Sequence, residues 1–232
     1  MNTDEKLLLN KKISVTLFDA NKELSLDNLF EKNPKLKNVP VILGQLTEAD
    51  IESFDIVVLS PGVPTDIPMV NTMREKGLPI WGEIELAYYF AKGTTVAITG
   101  TNGKTTTTAL TGEIMRTFFK DVRVVGNIGI PYTSEASNMT ENTVTVAEVS
   151  SFQLETIHDF KPQVTAILNI TPDHLNRHGT MEAYGAAKAQ IAANQSEDEF
   201  LVINLDDEQA YALSKNTRAT VIPFSRKAKP DK

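Results

Sequence analysis

Short β-rich runs and helical stretches take turns along almost the whole chain. Residues 164–169 (VTAILN) are apolar on both faces, as a strand must be when layers cover it above and below. Residues 95–99 (TVAIT) and 144–149 (VTVAEV) are further strands, with helices at about 104–119 and 181–195. In the first of these helices Leu110, Ile114 and Phe118 share one face. A short helix after 149, strand 200–203, a short helix from 206 and a strand near 219–223 extend the series. Earlier, 13–18 (ISVTLF), 39–43 (VPVIL), 56–59 (IVVL) and 78–81 (LPIW) read as strands. Helices are expected at 65–76, closed by Gly77, and at 83–91. Strands separated by helices pair in parallel, because a parallel partner needs a crossover connection. The expected fold class is therefore α/β with parallel layers in both halves. Lys92-Gly93 punctuates the chain and marks the expected boundary between domains 1–92 and 93–232.

The 232 residues suit one large or two small domains. With 41% hydrophobic and 23% charged residues, the chain can bury a core. A net charge of −7 argues against a protein that coats nucleic acid or an acidic membrane. The absence of cysteine removes disulfides and thiolate metal sites, and is compatible with a reducing cytoplasm. The N-terminus has no basic region followed by a long apolar one, so it does not read as a signal peptide. No apolar run approaches the roughly 20 residues that span a bilayer.

Residues 96–110 (VAITGTNGKTTTTAL) lead a strand into a turn with two glycines and a lysine, then into a helix. Backbone N–H groups in such a turn lack helical partners, and the helix dipole adds positive charge there. Lys104 can reach phosphate oxygens, and Thr105 can offer its hydroxyl to Mg²⁺. The spacing of Gly100 and Gly103 is shorter than in the common phosphate loop, and Ile98 stands where the first glycine would be. The bland alternative is a glycine turn with a surface lysine. In VAEVSSFQLE (146–155), Glu148 lies inside an apolar strand. A buried carboxylate there is costly unless paired or bound to metal, so Glu148 is either a Mg²⁺ ligand or a solvated sheet-edge residue.

Residues 169–191 (NITPDHLNRHGTMEAYGAAKAQI) put Asp173, His174 and His178 in a polar turn after a strand. Met181, Tyr184, Lys188 and Ile191 then share one helix face. Lys188 interrupts that stripe, and either snorkels to water or serves a site as a desolvated amine reactive even towards carbon dioxide. By themselves His158, His174 and His178 read as structural histidines. Asp19 at a strand end is either a ligand for a ribose or sugar hydroxyl or a helix cap. The turn SPGVP (60–64) either brings backbone to a ligand or is only tight.

Together these motifs resemble the Mur ligases, the ATP-dependent amide-forming enzymes of peptidoglycan precursor synthesis. GTNGKTTT is similar to their phosphate loop, and NITPDHLNRHG…YGAAK to their histidine turn and downstream lysine. SPGVP, GNIGIP and EVSSFQLE resemble the branch that adds D-glutamate to UDP-N-acetylmuramoyl-L-alanine. A folylpolyglutamate synthetase on the same scaffold is the alternative ligase, and a nucleotide-binding chain without turnover the alternative of another class. The resemblance implies a Rossmann-like N-terminal domain followed by a P-loop-type parallel α/β domain.

It implies that Gly100, Thr101, Asn102, Gly103, Lys104, Thr105 and Thr106 hold ATP, with Lys104 on the phosphates. Thr105 and Glu148 would bind one Mg²⁺, and His174 a second, bridged by Lys188 as its carbamate. Asn127, Asp19 and Gly62 would contact the nucleotide-sugar, and Ser150 and Gln153 would lie near its reacting end. The implied protein is a cytoplasmic monomer when complete. Family members are nearly twice as long and have three domains. The first strand and glycine-rich turn, the end of the central domain and the whole C-terminal domain are therefore expected to be missing here.

Overall fold

All strand pairs among the described residues are parallel. The computed structural model describes residues 3–227. Its first part runs α1 (Asp4–Asn10), β1 (Leu17–Asp19), α2 (Leu26–Lys32), β2 (Val41–Leu43) and α3 (Glu48–Glu52). It continues through β3 (Val57–Leu59), α4 (Pro68–Glu75), β4 (Ile80–Gly82) and α5 (Glu83–Phe90). β1 pairs with β2 and β3 with β4, giving two small sheets. β1 is shorter than the run 13–18 suggests. Its register begins at Leu17↔Val41, where Leu17 donates to the Pro40 carbonyl. Pro40 itself has no N–H to extend the ladder.

The second part is one six-stranded sheet with helices between its strands. Its elements are β5 (Thr94–Thr99), α6 (Lys104–Arg116), β6 (Val122–Gly126), α7 (Tyr132–Ala136), β7 (Val144–Glu148) and α8 (Ser151–Leu154). Then come β8 (Val164–Ile167), α9 (Leu175–His178), α10 (Met181–Ala189), β9 (Phe200–Asn204), α11 (Glu208–Leu213) and β10 (Thr220–Phe224). The strand order is β10-β9-β8-β5-β7-β6. One side of the sheet buries Ala97, Val125, Ala147, Ile167, Leu201 and Ile203. The other buries Val96, Ile98, Val146 and Ala166. Apolar residues on both sides explain why these strands read as continuous runs.

Two further features depart from the sequence reading. The face of α6 that carries Leu110, Ile114 and Phe118 points outward, with Phe118 80% exposed. The buried face carries Thr108 and Gly112 instead. A Cβ on Gly112 would lie 2.3 Å from a Val124 methyl, so the helix lies too close to the sheet for larger residues. β6 is a strand the alternation did not mark. It lies at the sheet edge, and its Arg123 pairs with Asp121 and Glu135.

The first part meets the second through α5. The buried Glu85 carboxylate accepts three backbone N–H groups, from His158 (2.8 Å), Asp159 (2.7 Å) and Phe160 (3.1 Å). Hydrogen bonds of this kind allow a charge to be buried. β5 lies between β8 and β7, and the loops after all three strands open on one edge of the sheet. In parallel α/β sheets ligands bind at such carboxyl ends.

Candidate functional site

The loop after β5 is held by the segment that follows β8. Gly100 has φ 151, and a Cβ there would press on Leu168 at 3.0 Å. Gly103 has φ 83 and starts α6 in a left-handed turn that favours glycine. The Thr101 N–H donates to the Asn169 carbonyl (2.9 Å) and the Asn102 N–H to Asn169 Oδ1 (2.8 Å). Asn169 Nδ2 donates back to the Asn102 carbonyl (2.9 Å). The Thr101 hydroxyl donates to the Thr171 carbonyl and lies 3.3 Å from the Tyr184 hydroxyl. Thr105 and Thr106 are exposed on the first turn of α6, where backbone N–H groups lack helical partners.

Two lysines converge on one carbonyl of this loop. Lys104 Nζ donates to Gly100 O (3.0 Å) and Thr101 O (2.9 Å). Lys188 Nζ donates to Gly100 O (2.9 Å) and sits 4.7 Å from the centre of the Tyr184 ring. Lys188 is 1% exposed, so it does not snorkel. Burial pushes its ammonium down to about 7, Lys104 acts in the same direction, and Asp173 opposes them. An amine in this condition is partly neutral near neutral pH and therefore nucleophilic.

Glu148 ends β7 and is 2% exposed. Asn127 Nδ2 donates to its Oε1 at 2.7 Å, while its Oε2 has no partner among the described residues. A buried, half-satisfied carboxylate at a strand end fits a divalent cation. Among the described residues no three His, Asp or Glu side chains form a ready metal cluster. Mg²⁺ is commonly held by one or two side chains together with nucleotide phosphates and water, so a single carboxylate such as Glu148 can take part without a cluster.

His174 has φ 50, and its N–H donates to Asp173 Oδ1 (2.9 Å). Its ring is half exposed, 4.9 Å from that of Phe152. His178 is buried between Ser151 Oγ (3.0 Å) and Glu155 (3.6 Å), and burial lowers its pKa. His158 lies 3.2 Å from the Ile80 carbonyl. The remaining predicted residues stand elsewhere. Asp19 is exposed at the end of β1 and accepts from the Asn21 N–H. Gly62 lies in an exposed turn closed by Val63 N–H to Ser60 O. Ser150 and Gln153 form a capping box on α8, and Gln153 Nε2 also donates to Glu83 Oε2 (3.3 Å). Asn169, Phe152, Glu155 and Arg177 were not singled out from sequence. Asn169 was visible as the polar end of an apolar strand, whereas the others depend on contacts across the fold.

Residues 98–232 match the Mur ligase middle domain, and residues 6–82 match the Mur ligase MurD-like N-terminal domain. The chain belongs to the Mur ligase family. It is 50% identical over 220 residues to the UDP-N-acetylmuramoylalanine–D-glutamate ligase of Lachnoclostridium phytofermentans, a match covering 95% of this chain and 48% of that protein. The chain thus spans about half the length of the curated relatives it matches. Solved Mur ligases share the fold. The UDP-N-acetylmuramate:L-alanyl-gamma-D-glutamyl-meso-diaminopimelate ligase of Neisseria meningitides superposes with a TM-score of 0.57 at 16% identity, covering 96% of this chain and 73% of that one. The MurF ligase of Thermotoga maritima, in complex with ADP, gives a TM-score of 0.50 at 18% identity over 77% of this chain and 49% of that one. No helix among the described residues is long and apolar enough to cross a membrane.

Proposed function

We propose that this Mur ligase chain carries the ATP and nucleotide-sugar sites of a cytoplasmic enzyme that joins D-glutamate to UDP-N-acetylmuramoyl-L-alanine. The observation that carries this reading is the meeting of Lys104 and Lys188 at the Gly100 carbonyl. A generic phosphate-loop ATPase gives a buried lysine from a distant helix no task at its loop. A ligase that activates a carboxylate needs a second cation beside the loop, which a buried lysine converted to its carbamate would help to hold.

In the proposed reaction the L-alanyl carboxylate attacks the γ-phosphorus of ATP, forming an acyl phosphate and releasing ADP. The D-glutamate amine then attacks the acyl carbon, loses a proton and expels phosphate. Lys104 exchanges its loop carbonyls for phosphate oxygens, and the α6 N-terminus faces the same charge. Neutral Lys188 adds its nitrogen to carbon dioxide, releases a proton and becomes a carbamate anion. Glu148 and Thr105 would hold one Mg²⁺, and His174 with carbamylated Lys188 a second, screening the two anions that must approach. Asn127, hydrogen-bonded to Glu148, Asp19 and Gly62 are assigned to the nucleotide-sugar, with Ser150 and Gln153 near its reacting end.

The test is phosphate release from ATP, with the amide product read by mass spectrometry. Release that requires both UDP-N-acetylmuramoyl-L-alanine and D-glutamate supports the proposal. Amide formation only on a folate overturns it in favour of a folylpolyglutamate synthetase. MgATP binding without such release identifies a nucleotide-binding chain without turnover.

A further inference from the structure

One side chain joins the 60–64 turn to the turn that carries His174. Arg177 Nη2 lies 2.6 Å from Glu155 Oε2 and donates to the Val63 carbonyl at 3.3 Å. The Thr65 hydroxyl donates to the same Glu155 oxygen at 3.4 Å. On its own side of the molecule Thr65 is gripped through its carbonyl by Arg74 (3.0 Å). The Arg177 guanidinium also lies over the Phe152 ring at 4.9 Å, and that ring contacts His174 at the same separation. Arg177 belongs to the short helix that His174 begins, and its N–H donates to the His174 carbonyl at 2.9 Å. His178, on the next position, stacks on the other part of this arrangement, 5.5 Å from Phe152.

We propose that Arg177, paired with Glu155, is a positioning residue that fixes the distance between the 60–64 turn and the His174 turn. The inference rests on the proposed function, in which these turns serve the nucleotide-sugar and the second metal. Both side chains of the ion pair are largely buried, with side-chain exposures of 17% and 16%. A planar guanidinium can bridge a carboxylate, a carbonyl and an aromatic face at once, which a lysine ammonium does less well. The neighbouring contacts also explain why the tie holds geometry rather than only adding stability. The partners of Arg177 come from two segments, the 60–64 turn through Val63 and α8 with its C-cap through Phe152 and Glu155, and these meet at the cleft lined by Ser60, Pro61, Val63, Phe152 and Gln153.

Hydrogen–deuterium exchange and ligand titration of the whole chain test the proposal together. In Arg177→Ala, exchange is expected to rise about tenfold in 60–67 and 172–180, while β5 and β7 keep their protection. UDP affinity should fall about tenfold with MgADP affinity held within about twofold, a split that general destabilisation does not produce. Arg177→Lys should recover part of both changes, and Glu155→Gln should reproduce the exchange change in a shape-preserving variant. Unaltered exchange in 60–67, or an equal rise in β5 and β7, overturns the proposal. If the wild-type chain binds neither UDP nor MgADP, the proposed function falls. The exchange pattern then still decides whether Arg177 sets the spacing of the turns.

Discussion

Glu148 is buried with one oxygen on Asn127 and the other without a partner among the described residues. Such a group is unfavourable to the folded chain unless a ligand completes it. Glu148→Gln removes the charge while keeping the shape. It is expected to weaken MgADP binding about tenfold and to leave metal-free ADP binding nearly unchanged. Isothermal titration with and without Mg²⁺ measures the difference, and thermal melting should show no loss of stability. Lys188 makes the second test at this scale. Its pKa near 7 leaves a neutral fraction at neutral pH to combine with carbon dioxide. Labelled bicarbonate should give a carbamate resonance by carbon-13 NMR that is absent from Lys188→Ala. In a ligation assay that variant should lose at least about a hundredfold in rate and regain part of it with short-chain carboxylic acids.

The helices and strands differ in how much of them the sequence discloses. β5, β7 and β8 were legible because both their faces are buried, so every position is apolar or compensated. The loop after β5 and the lysine on α10 were legible for the opposite reason, since each breaks an apolar pattern. β6 was not, because an edge strand tolerates Arg123 and its ion pairs. The stripe on α6 misleads for a geometric reason. A helix drawn close to a sheet buries its small residues, here Thr108 and Gly112, and turns its large ones outward. The positioning pair Arg177 and Glu155 was invisible because its members are 22 residues apart and the Val63 and Thr65 groups they hold lie in the first part of the chain. The α6 packing can be checked directly. Gly112→Ala places a methyl 2.3 Å from Val124 Cγ2. It should destabilise the fold by about 1–3 kcal/mol in chemical denaturation despite the better helix propensity of alanine. Gly112→Ala with Val124→Ala should recover most of that loss.

On the scale of the whole molecule, α1 is tied to the second part through acids that are buried together. Asp4, 4% exposed, accepts from the Thr133 hydroxyl at 2.9 Å, and Glu83 accepts from the Thr133 N–H at 2.9 Å. Burial pushes the Asp4 carboxyl from 3.8 up to about 7, the Glu83 carboxylate pushes further, and the Thr133 hydroxyl opposes them. Burial also raises the Glu83 pKa. A raised folded-state pKa favours the protonated fold. The Asp4 contribution is therefore fully present below its ordinary pKa of 3.8 and is lost as pH rises through about 7. His178 has the opposite sign: its lowered pKa gives stability above the ordinary value of 6.5 that is lost as pH falls. From about pH 7 upward Lys188 acts against Asp4, because its pKa, lowered from 10.5 to about 7, makes the fold gain stability as pH rises. The Asp4 contribution is read as the difference in melting temperature between Asp4→Asn and the wild-type chain, which should widen between about pH 5 and about pH 8.5 by the equivalent of at most about 3 kcal/mol. Asp4→Asn keeps a polar group opposite Thr133 without the charge, so above neutrality it should melt at a higher temperature than the wild-type chain. A difference that does not widen with pH would assign the pH dependence to Glu83 or to groups elsewhere, and α1 would then be held by packing on α5 and α7 rather than by a protonated Asp4.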